Sequence, residues 1–279
     1  MLSPPGGSDL RNNLTTDPEF LRADQYREAD NLQARIELHT RFSTNAESWF
    51  PWLFERYRFP AQADILEIGC GPGDAWVRNL ERVPAGWQLF LSDLSEGMVG
   101  KARQNLGQLP SRFCCLDAGW IPFTADSFDA VIGNHMLYHM PDLARALSDI
   151  CRVLVPDGLL VSATNGAGHL AELYDLLEDF DPQYDRGDHQ LSFTLESGAE
   201  ILGRYFKKVE RWDFPNDLQI TEVEPLVAYT LSLWSINSDY FQERIDQYRA
   251  YLQEIIDRKG MIKINKSVGV FVSQGTKKD

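Results

Sequence analysis

Three kinds of residue in this 279-residue chain could do chemistry together: an acid-flanked run of glycines, acids that close apolar stretches, and histidines on small polar loops. The run Glu67-Ile68-Gly69-Cys70-Gly71-Pro72-Gly73-Asp74 follows the apolar Ile65-Leu66 and leads into Ala75-Trp76-Val77. That is the pattern of a buried strand, a tight turn and a helix start. The glycines let the backbone turn sharply and lie against a ligand with no side chain between them. The spacing is GxGxG, and Asp74 stands where a dinucleotide fingerprint needs its third small residue. Asp93 closes the next apolar stretch, 26 positions after Glu67. A carboxylate there can accept hydrogen bonds from both hydroxyls of a ribose; the plainer alternative is a surface acid in a turn. Asp117 closes a third stretch. Asn134, His135 and His139 follow a fourth, and His169 ends the small loop Asn165-Gly166-Ala167-Gly168. A helix beginning at His169 would lower its pKa and favour the neutral imidazole that a general base needs.

These residues can meet only if the stretches before them are parallel strands, because open α/β sheets bind ligands outside the carboxyl ends of their strands. Short apolar runs predict strands at 65–68, 87–93, 112–118, 128–134, 159–164, 208–214 and 267–272, the fourth apolar enough to be covered on both faces. Helices are predicted at 75–82, from an N-cap at Ser95, at 142–153, from His169 through Phe180, at 194–203, and in two amphipathic stretches, 222–236 and 239–259. Ahead of the glycine run, a helical pattern starts near Asp17-Pro18-Glu19-Phe20, and Ala29, Leu32, Ile36 and His39 fall on one side of it. His39 reads more readily as a core-facing histidine with no chemical task than as a site residue. Arg41 could pair with a ligand carboxylate or with surface acids. An aromatic helix at 49–54 is stopped by Phe59-Pro60. Residues 1–18, polar and rich in Pro and Gly, are expected to be mobile.

The stretch Glu67-Ile68-Gly69-Cys70-Gly71-Pro72-Gly73 resembles motif I of the class I S-adenosylmethionine-dependent methyltransferases. Asp93 stands at the motif II position, and Asp117-Ala118 and the Pro156-Asp157-Gly158 turn agree in order and spacing. His135-Met136-Leu137-Tyr138-His139-Met140-Pro141-Asp142 resembles the small-molecule kind often labelled type 11, and Tyr26 to Asn45 the N-terminal part of a bacterial subgroup. Val155 departs from the Lys or Arg usual before that proline, at a turn with a structural role. The resemblance implies an α/β fold, a Rossmann-like seven-stranded mostly parallel sheet with helices on both faces, its last strand antiparallel. The expected division is a mobile 1–18, an N-terminal helical lid over 19–59, a methyltransferase core over 60–215, a late helical insertion over 216–260, and the last strand and tail over 261–279.

The resemblance also implies a cofactor, S-adenosyl-L-methionine, with S-adenosyl-L-homocysteine as product, and residues to hold it. Glu67, Gly69, Cys70, Gly71 and Gly73 would line its methionine end, where a carboxylate at Glu67 or Asp74 suits the positive amino group and sulfonium. Asp93 would take the ribose, Leu94 and Met98 the adenine face, Asp117 and the Ala118 amide the adenine edge, and Asn134 and His135 the methionine part. The expected reaction is methyl transfer to an O, N or C nucleophile of a small-molecule acceptor. His169, His139 and His39 are the candidates to remove a proton, in no order of preference.

Composition narrows the partners. A net charge of −14 repels a phosphate backbone, which argues against DNA or RNA. With 43% hydrophobic residues the chain can bury a real core, and no apolar run approaches the 18 residues of a membrane span. The four cysteines include no CxxC and read as reduced thiols. No signal-peptide pattern opens the sequence, so a cytoplasmic protein is expected. Two rival readings stay open. A nicotinamide oxidoreductase would use Asp93 equally well, and a regulatory protein could bind the cofactor without chemistry.

Overall fold

The computed structural model describes residues 25–184, 191–233 and 241–277. The expectations for 1–24, for the end of the 222–236 stretch and for the start of the 239–259 stretch lie outside these residues. At the centre is a seven-stranded sheet in the order β3-β2-β1-β4-β5-β9-β6. Its strands are β1 (Ala63–Ile68), β2 (Trp87–Asp93), β3 (Ser111–Cys115), β4 (Phe128–Ile132), β5 (Leu154–Asn165), β6 (Phe206–Asp213) and β9 (Val268–Thr276). The first five pair in parallel, and β9 runs antiparallel between β5 and β6. Strands buried on both faces need apolar side chains in both directions. Ile65 accordingly joins Trp52, Trp76 and Leu91 on one face, while Leu66 and Ile68 join Val131, Leu147 and Phe193 on the other. The chain steps outward from β1 to β3 and then returns to β4 on the other side of β1, so the loops after β1 and β4 diverge at the carboxyl edge and leave a crevice there.

The helices are α1 (Gln25–Phe42), α2 (Trp49–Phe54), α3 (Asp74–Val77), α4 (Glu96–Leu106), α5 (Leu143–Val153), α6 (Ala171–Phe180), α7 (Gly198–Gly203), α8 (Val223–Leu231) and α9 (Ile245–Lys259). The helix predicted at 75–82 is broken. α3 has four residues and a separate 3-10 turn covers Leu80–Arg82. Asn79 is the cause: its side-chain amide donates to the Ala75 and Phe50 carbonyls at 2.8 and 3.2 Å, competing with the helical ladder. α2 ends at Phe54, ahead of Phe59-Pro60, as the chain turns to pack Tyr57 and Phe59 against Trp76 and Trp87. The turn predicted at 154–158 lies inside β5: Leu154 pairs with Phe128 but Leu159 with Ala130, so the intervening residues bulge.

A ribbon of two short strands escaped the sequence reading. β7 (Asp217–Ile220) and β8 (Ile262–Asn265) pair antiparallel. They join α1, α6, α8 and α9 in a third core of Leu38, Phe42, Leu173, Leu226, Tyr248 and Ile264, separate from the two cores on the sheet. α6, from the segment assigned to the sheet core, packs here. In α1 the inward side is that of Leu38 and Phe42, with Ile36 and His39 only half covered beside it. The β8–β9 connection brings this cap to the sheet, where Gly166 and Leu170 donate backbone hydrogen bonds to Ser267 and Asn265 at 2.9 and 3.1 Å. No helix among the described residues is long and apolar enough to cross a membrane.

Candidate active site

The loop between β1 and α3 takes a path that glycine makes possible. Gly69, Gly71 and Gly73 all have positive φ, between +54° and +83°. Gly69 also packs so closely on Met136 that an added Cβ would lie 3.0 Å from that side chain. Above Gly71 an added Cβ would meet no protein atom within 4 Å, so the loop backbone borders open space. Cys70 extends the β1–β2 pairing, donating from its backbone to Ser92 at 2.8 Å, and burial pushes its thiol up. It is a packed side chain without thiolate character.

Asp93 ties two loops together. One carboxylate oxygen accepts from the Gly71 amide and the other from the Ser95 amide, both at 2.9 Å. Burial raises its pKa, and these backbone donors oppose that rise. Leu94 and Met98 are half-buried beside it, and the Ser95 hydroxyl accepts from the Met98 amide as the N-cap of α4. β3 ends at Cys115, earlier than predicted, so Asp117 stands beyond the strand. The Leu116 amide donates to the Asp93 carbonyl at 3.0 Å, and exposed Asp117 accepts from Gly119 at 2.8 Å with Ala118 buried behind it. The two acids therefore stand on neighbouring loops at one end of the crevice.

Glu67 lies deeper. It is 2% exposed and accepts from the Trp76 indole at 2.5 Å. Burial pushes its carboxyl up to about 7 against the hydrogen bonds from Trp76 and Asn134. Asn134 also donates to the Tyr57 hydroxyl at 2.8 Å, which leaves its side-chain oxygen buried without a partner. Asp74, at the first position of α3, is half-buried, and burial raises its pKa. An open glycine backbone, a half-exposed acid pinned at Asp93 and an unused acceptor on Asn134 together fit a ligand with a ribose at one end and a positive amino group at the other.

The other end of the crevice gathers residues from across the chain. His135 holds a left-handed backbone, φ +52°, with its amide donating to the Ala163 carbonyl at 2.9 Å and its ring 5.5 Å from Trp49. His169 precedes α6, which starts at Ala171 after Leu170 in a left-handed conformation, so the predicted helix start at His169 is displaced. Burial pulls His135 down to about 4 and His169 to about 3; in both, the Lys266 charge is the next cause. His39 is lowered well below its ordinary value by burial, then by Lys266 and His169. Its ring meets Tyr229 edge-on at 5.6 Å. The Nδ1 atoms of His39 and His169 are both buried without a partner. His139 is half-buried, its ring 4.5 Å from that of Tyr138. Arg41 is spent on Glu37 and Glu222 at the surface.

Sequence reasoning missed Lys266, whose charge acts on His39, His135 and His169. It is half-buried on the β8–β9 connection, and burial pulls its ammonium down to about 8. It also lines a cavity of about 460 Å³ shared with Thr44, Arg211, Phe214, Asn216 and Asp217. The Asn216 side chain receives hydrogen bonds from Ser43, Thr44 and Asn45, fixing the chain after α1 to the cavity wall.

A glycine loop after β1 with acids after β2 and β3, on this sheet order, is the arrangement of the class I S-adenosylmethionine-dependent methyltransferases. Residues 66–162 match the family model described as a methyltransferase domain. The chain is 32% identical over 156 residues to a malonyl-[acyl-carrier protein] O-methyltransferase of Geobacter sulfurreducens, covering 54% of this chain and 58% of that one. It is 28% identical over 186 residues to the mitochondrial arginine-hydroxylase NDUFAF5 of Homo sapiens, covering 65% and 53%. The chain thus spans little more than half the length of these relatives. Among solved structures, a putative methyltransferase from an antibiotic biosynthesis pathway of Anabaena variabilis shares the fold with a TM-score of 0.57 at 16% identity, over 80% of this chain and 95% of that one.

Proposed function

We propose that this chain transfers a methyl group from S-adenosyl-L-methionine to an O, N or C nucleophile of a small molecule. The observation that carries the reading is the division of the carboxyl edge: Asp93, Asp117 and the open Gly71 backbone at one end, three neutral imidazoles at the other. When bound, the cofactor supplies a methyl carbon on a positive sulfur, already activated toward displacement. Asp93 orients the ribose hydroxyls, with Leu94 and Met98 against the adenine and Asp117 and Ala118 at its edge. Glu67 and Asp74 offset the positive methionine end, and the free Asn134 oxygen accepts from its amino group. Gly69, Cys70 and Gly73 shape the loop that lets the backbone approach, and His135 closes the site against Trp49.

The remaining work is alignment of the acceptor, the larger share of such a displacement. His39 and His169 present buried, unpartnered Nδ1 atoms to the acceptor end. A ring held at a pKa of about 3, as His169 is, stores a proton poorly; it serves better to accept a hydrogen bond and orient the nucleophile. His139, half-buried, is the candidate to pass a proton to solvent. The match of residues 66–162 to a methyltransferase domain, with Asp74 in place of the third small residue, supports methyl transfer over the oxidoreductase alternative. Titration with S-adenosylhomocysteine and with NADH tests the reading: micromolar binding of the first is expected, and binding of NADH alone would overturn it.

A further inference from the structure

Lys266 is a cation partly drawn out of solvent in a protein of net charge −14, and its ammonium makes no ion pair among the described residues. The less buried Arg249 and Arg211, by contrast, hold Glu224 and Asp213 at 2.8 and 2.7 Å. Asp217 is the nearest acid by its effect on Lys266, and its carboxylate accepts from the Lys266 backbone amide at 3.2 Å. The Lys266 charge bears on His39, His135 and His169, all held toward the neutral form, and the residue lines the cavity together with Phe214, Asn216, Asp217 and the Arg211–Asp213 ion pair. Arg35 adds a second positive charge near His39, but its guanidinium is held by Ser232 at 2.5 and 3.1 Å.

A partly desolvated cation without a counterion is costly, and the cost is removed when a ligand brings the opposite charge. With Arg211 spent on Asp213, the Lys266 ammonium is the cation among the described lining residues that makes no ion pair, and it matches a single negative charge better than a dianion, which Asp217 would repel more strongly. We propose that the acceptor carries a carboxylate, seated on Lys266 in the cavity at the β8–β9 connection. The proposal rests on the methyl-transfer reading, because it takes this end of the crevice as the acceptor's. The Nδ1 atoms of His39 and His169 are buried without a partner and would be available to polar groups of the acceptor.

The test loads wild type, Lys266→Met and Lys266→Arg with S-adenosylhomocysteine and titrates each with acetate, hexanoate and benzoate and with the corresponding amides. Wild type is expected to bind at least one carboxylate about tenfold or more tightly than its amide, Lys266→Met to lose that preference, and Lys266→Arg to keep much of it. Equal binding of acid and amide, no binding of any carboxylate, or an unchanged preference in Lys266→Met overturns the proposal. Failure of wild type to bind S-adenosylhomocysteine at all overturns the methyl-transfer reading instead. Unchanged S-adenosylhomocysteine affinity in Lys266→Met shows that the variant is folded.

Discussion

Glu67→Gln separates what the buried carboxyl does for the cofactor from what it costs the fold. Burial holds Glu67 at about 7 in the folded chain, against 4.5 for an unperturbed glutamate. Between those two values the folded state keeps a proton that the unfolded state has released. The contribution of the neutral form is therefore complete below pH 4.5 and is lost as pH rises to 7. At about 1.4 kcal/mol per unit, the whole swing is about 3 kcal/mol. Glutamine has the same shape, carries no charge at any pH, and its amide oxygen can still accept from the Trp76 indole. Urea unfolding at pH 5 and pH 8, followed by Trp fluorescence, should find the variant close to wild type at pH 5. At pH 8 it should be more stable by about 2 kcal/mol, once about 1 kcal/mol is allowed for the new NH2 facing the Asn134 amide. Equal destabilisation at both pH values would refute the argument, since the carboxyl would then be a net stabiliser in either state. The same residue makes a linked prediction for binding. A positive amino group beside Glu67 favours its ionised form, so binding of S-adenosylhomocysteine near pH 7 should release a fraction of a proton. Calorimetry in buffers of different ionisation enthalpy measures that release, and Glu67→Gln should abolish it.

Asp93→Ala removes a carboxylate whose two oxygens organise both cofactor loops. With charge-assisted bonds worth about 1.5–3 kcal/mol each, S-adenosylhomocysteine affinity should fall about 100-fold or more by calorimetry; unchanged affinity would place the ribose elsewhere. Leu38→Ala empties a fully buried position of the cap core and should cost about 2–4 kcal/mol in urea unfolding. A loss below about 1 kcal/mol would mean that the cap unfolds apart from the sheet. His135 and His169, held at about 4 and 3, stay neutral above pH 5, so the pH profile of kcat/KM should show no limb near 6.5 from either ring. Such a limb, abolished by His169→Asn, would contradict the buried neutral state.

The sheet was legible because its signals are local. Strand-length apolar runs, the glycine loop and the capping Ser95 each act within a few residues, and β2 begins and ends where the apolar run does. Boundaries failed where a side chain competes with the backbone, as Asn79 does in breaking the helix after the glycine loop, or where partners decide. β3 ends at Cys115 because its pairing with β2 stops at Asp93, and Asp117 then folds back on Gly119. The ribbon of β7 and β8 left only a faint trace, Asp-Leu-Gln-Ile and Ile-Lys-Ile-Asn, which alternate correctly but over four residues each. Such runs become strands only because each buries its apolar pair against helices far away in sequence.

The same contrast divides the candidate site. The end proposed for the cofactor is built from residues 67 to 134 on neighbouring strands of one sheet, so the spacing of the acids along the chain already encodes their proximity in space. The end proposed for the acceptor draws on His39, His135, His169 and Lys266, carried on a helix, two loops and a connection between two sheets. Nothing in a lysine's identity records its burial: Lys263, three residues earlier on β8, is exposed, while Lys266 is drawn inward. The difference arises from the ribbon, which turns Lys263 outward by strand alternation and delivers the β8–β9 connection to the Gly166–Leu170 loop. Changes in that ribbon could therefore alter the acceptor while Asp93 and the glycine loop keep their place, because the two ends share a crevice but not the elements that position them.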